Sequence, residues 1–69
     1  PAQALYAAAH GLALINHLIA QAPSRLSPSG LLLLEADARQ HDALIKDATR
    51  HGFTHLETEG LALAFRLAD

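Results

Sequence analysis

Four consecutive leucines and a glutamate, Leu31-Leu32-Leu33-Leu34-Glu35, constrain this chain more than any other feature. Ser27-Pro28-Ser29-Gly30 before them is a turn by composition, and Asp37 follows closely. Leucine is a good helix former, so propensity alone does not assign the run. Its length and its flanking turn residues favour a short strand buried on both faces. Such a strand must be covered by helices, and the sequence offers two.

The first runs from His10 to Ala22. Leu12, Ile15, Leu18, Ile19 and Ala22 recur at helical spacing, with Asn16, His17 and Gln21 on the other side. Pro23 ends it. The Ala-rich stretch Ala2–Ala9 has high helix propensity and is expected either to extend this helix or to form a separate turn, with Gly11 as the break. The second helix runs from Ala38 to about His51. Asp37 suits its N-cap, and Gly52 suits a left-handed closing residue. Ala38, His41, Leu44, Ile45 and Ala48 form its inner stripe. Asp42 and Lys46 are expected to pair on its wet side, and Asp47 to lie on a solvated face.

Phe53–Glu59 reads as a strand of mixed polarity. After Gly60, Leu61, Leu63, Phe65 and Leu67 alternate with Ala62, Ala64, Arg66 and Ala68, which is period-two patterning. The short connection implies an antiparallel hairpin, with Arg66 able to pair with Glu57 across it. The order is helix, strand, helix, strand, strand. Leu31–Thr58 should be a right-handed crossover with parallel strands. Cover on both faces of the leucine strand places the two helices on opposite faces. Insertion of the last strand gives the order 31–35, 61–68, 53–59. That leaves Leu31–Glu35 at an edge, a hazard natural sheets avoid. A neighbouring strand is therefore expected from a larger parent domain or from a second copy, as a homodimer through Leu31–Glu35.

Composition narrows the function. The chain has 69 residues, room for one small domain. Half are hydrophobic, with only Tyr6, Phe53 and Phe65 aromatic, so Leu, Ile and Ala must fill the core. A net charge of −2 with five scattered Lys and Arg argues against direct nucleic-acid binding. The absence of cysteine excludes a disulfide framework and thiolate chemistry and fits a cytoplasmic protein. No apolar run is long enough to span a membrane, and the start lacks a signal-peptide pattern. The chain begins at Pro1 and contains no Met, as expected after loss of an initiator or for a piece of something larger.

Several short motifs occur in a telling order. They are Pro1-Ala2-Gln3-Ala4-Leu5, His10-Gly11-Leu12, Ala22-Pro23, Leu26-Ser27-Pro28-Ser29-Gly30, Leu33-Leu34-Glu35 with Gln40 five residues on, Gly52-Phe53, Gly60-Leu61-Ala62 and Arg66-Leu67. In order and spacing the set resembles the C-terminal end of class I S-adenosylmethionine-dependent methyltransferases. The closest likeness is to the protein-glutamine methyltransferases that modify peptide chain release factors (HemK/PrmC type). The likeness covers nearly the whole chain. His10 and Gly60 stand where that family has Asp, and Asp37 where it has Gly. The resemblance implies an α/β fold, the C-terminal portion of a Rossmann-like sheet ending in an antiparallel hairpin. It also implies a parent enzyme that takes S-adenosylmethionine and acts on a release factor. The family's glycine-rich cofactor loop and its catalytic Asn-Pro-Pro-Tyr are absent from these residues. The resemblance therefore implies a single incomplete domain that is inactive alone, with no cofactor expected for this chain by itself. The alternative is a small, non-catalytic, self-associating module.

Candidate site residues are few. Glu35 ends the apolar strand, where open α/β sheets present their ligand crevice, so it is a candidate for the active-site rim. Gln40 could support that rim. The plainer readings are a solvated exit residue and an exposed first-turn side chain. Five histidines invite a metal site, yet His51 and His55 are separated by Gly52. His10 and His17, seven apart, lack a third ligand. No metal site is expected. Ser24, Ser27 and Ser29 have no nucleophile elbow around them. Asp37, Asp42, Asp47, Glu57 and Glu59 show no paired arrangement for acid–base work.

Overall fold

The computed structural model describes residues 2–7 and 12–68. Strand β1 (Gln3–Ala7) leads to helix α1 (Leu12–Gln21) and a 3-10 turn, Ala22–Arg25. Strand β2 is Leu31–Glu35, followed by a 3-10 turn, Ala38–Gln40, and helix α2, His41–Arg50. Strands β3 (Phe53–Glu59) and β4 (Ala62–Leu67) complete it. One four-stranded sheet runs in the order β1-β2-β4-β3. It is a small α/β domain.

Three elements follow local rules. Asp37 caps the chain before α2, its Oδ1 accepting from Arg39 N at 2.9 Å. Gly52 closes α2 with φ +90°, and its N–H reaches Thr49 O at 3.2 Å. The β3–β4 hairpin turns on Gly60, φ +58°, and is antiparallel as expected. Pairing slips once between His55 and Glu57, a bulge that leaves Leu56 unpaired and exposed.

Three long-range expectations are corrected. Gln3–Ala7, within the Ala-rich stretch expected to be helix or turn, is a strand. It pairs parallel with β2, Gln3 opposite Leu31 through Ala7 opposite Glu35, and Leu31 N donates to Ala2 O at 2.7 Å. An open ladder beside β2 outweighs the few tenths of a kcal/mol per residue by which alanine favours helix. The expected break at Gly11 lies outside the described residues.

Leu31–Glu35 is consequently no edge. Antiparallel β4 occupies its other side, with Leu32 opposite Phe65 and Leu34 opposite Leu63. Pairing between copies through this strand would require displacing β1 or β4. The predicted order of the last three strands holds, and β3 runs parallel to β2 because each is antiparallel to β4.

The helices also share one face. Ile15 and Ile19 of α1 and Leu44 and Ala48 of α2 join one core with Leu32, Leu34, Phe53, Leu63 and Phe65. The physical reason is topological. The crossovers β1-α1-β2 and β2-α2-β3 step the same way across the sheet, so crossovers of the same hand lay both helices on one side. The strand is therefore not buried on both faces: Leu32 and Leu34 are buried, whereas Leu31 and Leu33 are only half-buried. The Phe53 and Phe65 rings meet edge to face at 6.2 Å, a favourable aromatic geometry.

Two side-chain expectations change as well. Arg66 does not reach Glu57; its Nη1 donates to Ser29 O at 2.9 Å, across β2 rather than along the hairpin. Asp47 is only 5 % exposed, not solvated. It lies three residues beyond Leu44 on α2, one helical step along the inner stripe.

Candidate functional site

The three parallel strands end together. Ala7 lies opposite Glu35, Glu35 opposite Ala62, and Glu59 opposite Ala62, so one row of paired residues marks the carboxyl rim of the sheet. This is the end at which open α/β sheets hold ligands. His10 lies outside the described residues.

Glu35 is exposed on the rim, at the last pair of the β2 ladder. Gln40 is half-buried at the end of the 3-10 turn, and its backbone N–H reaches Asp37 O at 2.9 Å. The two flank the same connection, Ala36–Arg39. No hydrogen bond joins their side chains.

What organises the rim is His41. Its ring is buried, and Nε2 lies 2.9 Å from Ala36 O and 3.2 Å from Leu61 O. Both partners are carbonyl oxygens, so Nε2 carries the proton and donates to both. Ala36 N also donates to Leu61 O at 3.0 Å. The exit of β2, the hairpin turn and the start of α2 are thereby tied at one imidazole. The pattern placed His41 on an inner stripe, but nothing local could reveal a partner twenty residues away. His41→Ala is expected to cost about 2 kcal/mol, since the bonds are lost and packing is removed. That corresponds to a fall in Tm of roughly 10 °C for a domain of this size, measurable by thermal circular dichroism. His41→Gln, which keeps a donor, should recover part of it.

Asp37 sits in the same connection. Its carboxylate takes the Arg39 side chain at 3.0 Å and 3.1 Å besides the Arg39 N–H. The Arg39 side-chain hydrogen bond, then the backbone one, lowers its pKa from 3.8 to about 2. A carboxyl with a depressed folded-state pKa adds stability that is full above its unfolded value and is lost as pH falls through the folded one. Acid titration followed by circular dichroism should show Asp37→Asn shedding a small pH dependence between about 4 and 2.

On α2, Asp47 Oδ1 accepts from Arg50 Nη2 at 2.5 Å, while its Oδ2 is buried with no hydrogen bond among the described residues. The His51 Nδ1–H donates to Asp47 O at 2.8 Å. A shallow depression of about 590 Å³ runs beside this helix, lined by Ala43, Ile45, Lys46, Asp47, Thr49 and Arg50. One helix forms its described lining. His55 Nε2 meets Thr58 Oγ1 at 2.9 Å, and the ring packs against Phe65. Among the described residues, no three His, Asp or Glu side chains converge as a metal site would need. No described helix is long and apolar enough to cross a membrane.

No protein-family model and no curated protein matches this chain.

Proposed function

We propose that this chain is the C-terminal portion of a class I S-adenosylmethionine-dependent methyltransferase, acting as a whole on a protein glutamine side-chain amide of a peptide chain release factor. The observation that carries the reading is the sheet order. The leucine strand has a parallel neighbour, β1, on one side and the antiparallel last strand inserted on the other. That arrangement supports a Rossmann-like sheet ending in a hairpin, which the ordered motifs from Pro1 to Arg66 led us to expect. The role of this portion is to complete the sheet and form one wall of the cofactor crevice, with Glu35 and Gln40 at its rim. The glycine-rich loop and Asn-Pro-Pro-Tyr belong to residues outside this sequence.

The chain alone should bind S-adenosylmethionine weakly or not at all. Titration calorimetry on the 69-residue chain tests this. No heat of binding at ligand concentrations up to hundreds of micromolar is expected. Micromolar binding would overturn the incomplete-site reading.

A further inference from the structure

Two buried side-chain oxygens, Oδ1 of Asn16 on α1 and Oδ2 of Asp47 on α2, have no hydrogen bond among the described residues. Native interiors rarely leave such atoms unpaired. The fold turns the two residues toward each other. α1 and α2 are in contact and run the same way, since each returns from the end of one parallel strand to the start of the next. Right-handed crossovers here step from β1 toward β3. On such helices the residue after an inward-facing one turns toward the next helix, and the residue before one turns toward the previous helix, about 100° round in each case. Asn16 follows the buried Ile15, and Asp47 precedes the buried Ala48. Asn16 therefore faces α2 and Asp47 faces α1. Each lies in the second turn of its helix, counted from the same end of the sheet.

We infer that Asn16 and Asp47 form a buried latch between the two helices, with Asn16 Nδ2–H donating to Asp47 Oδ2. A carboxylate has only acceptors, so the donor comes from the amide. A half-turn about the last side-chain bond of Asn16 exchanges Oδ1 and Nδ2, pairs Asp47 Oδ2 and removes Asn16 Oδ1 from its unpaired position. Asp47 Oδ1 is already taken by Arg50 Nη2, with His51 Nδ1 3.7 Å away, so the latch falls to Oδ2. Lys46 beside it is exposed. Among the described residues of α1 the titratable side chain is His17, which is exposed, and the core beneath is apolar. His55 belongs to β3, on the flank of α2 away from α1. The latch accounts for an aspartate on the buried flank of α2. It also fixes which turns of the helices meet, because a slip of either would leave both side chains unpaired. It belongs to the core of the 69-residue chain and does not depend on the activity proposed above.

Asn16→Asp tests it, because that change sets a second carboxylate against Asp47. At pH 7 the variant should melt roughly 10 °C below wild type. Two facing carboxylates hold a proton more tightly in the folded chain than in the unfolded one. The folded variant then binds more protons than the unfolded, and it gains stability relative to wild type as pH falls. The gap in Tm should close by at least half between about pH 6 and pH 4. A gap that does not change with pH overturns the inference, and so does a variant as stable as wild type at pH 7. The wild-type chain supplies a second measurement. In nitrogen-15 NMR the side-chain NH2 of Asn16 should exchange with water at least about tenfold more slowly than that of the exposed Gln21. Equal exchange overturns the inference even where Asn16→Asp does not fold at any pH. Asn16→Leu and Asp47→Leu should also be non-additive, the double variant melting higher than the two single losses together imply. Additive losses overturn the inference as well.

Discussion

Replacing Phe65 by alanine should leave the domain largely unfolded at room temperature. Phe65 is fully buried at the centre of β4, opposite Leu32 on one neighbour and His55 on the other, and it meets Phe53 edge to face. With three aromatic residues in the chain, no other side chain can fill the space it leaves. Truncations of this kind cost about 3–5 kcal/mol, the transfer loss plus the cavity. A domain of this length has about 3–10 kcal/mol in total, at the usual stability per residue. Urea unfolding followed by circular dichroism should find no folded baseline, or one that survives only at the lowest denaturant. Phe65→Leu, which retains most of the volume, should stay folded with a lowered midpoint. A Phe65→Ala variant as stable as wild type would mean that the single core around β4 is misplaced.

Gly30→Ala should be nearly as damaging, for a reason unrelated to backbone freedom. Gly30 is buried where the turn after α1 meets the first residue of β2. A Cβ there would lie 2.8 Å from Ser27 O, 3.2 Å from Ala2 O and 3.2 Å from Leu26 Cβ. The first two are backbone carbonyls already in use: Ser27 O accepts from Gly30 N at 2.9 Å, and Ala2 O accepts from Leu31 N at 2.7 Å. Neither can retreat without losing its hydrogen bond. Gly30 O in turn accepts from Leu67 N at 2.8 Å, so a shift of this residue pulls on β4 as well. Crowding of this sort costs about 1–3 kcal/mol, and the upper end is expected because the neighbours are main chain. Its signature is local. Hydrogen exchange at Leu31 and along β1 should accelerate first, because the added methyl pushes directly on the β1–β2 junction. Uniform protection across both strands in the variant would contradict that placement.

Local chemistry in the sequence proved readable. The hairpin of β3 and β4, the Asp37 cap and the Gly52 helix stop depend on residues within a few positions of one another, where one side chain or one glycine suffices. What failed depends on distant partners. Gln3–Ala7 has the composition of a helix and becomes a strand only because β2 presents it with an unpaired ladder. The shared face of α1 and α2 follows from two crossovers stepping in one direction, which no local pattern encodes. Asp47 occupies a position that spacing alone leaves ambiguous, and packing buries it. The hazard of an exposed leucine edge was a sound argument; its resolution lies in the chain's own first residues. At the candidate rim, Glu35 was legible as the end of an apolar strand. His41 was not legible as its clamp, because the bond to Leu61 spans an entire helix and strand.

The parent proposed for this sheet is a protein-glutamine methyltransferase. The most direct measurement is methyl transfer by the protein encoded by the whole gene that contains these residues. It would be incubated with methyl-tritiated S-adenosylmethionine and a peptide chain release factor, and the product digested and sequenced. Label is expected on a glutamine side-chain amide, and it should be lost when residues 1–69 of this sequence are deleted. A gene product that neither binds S-adenosylmethionine nor labels the release factor, and that lacks a glycine-rich loop and an Asn-Pro-Pro-Tyr upstream, would contradict it.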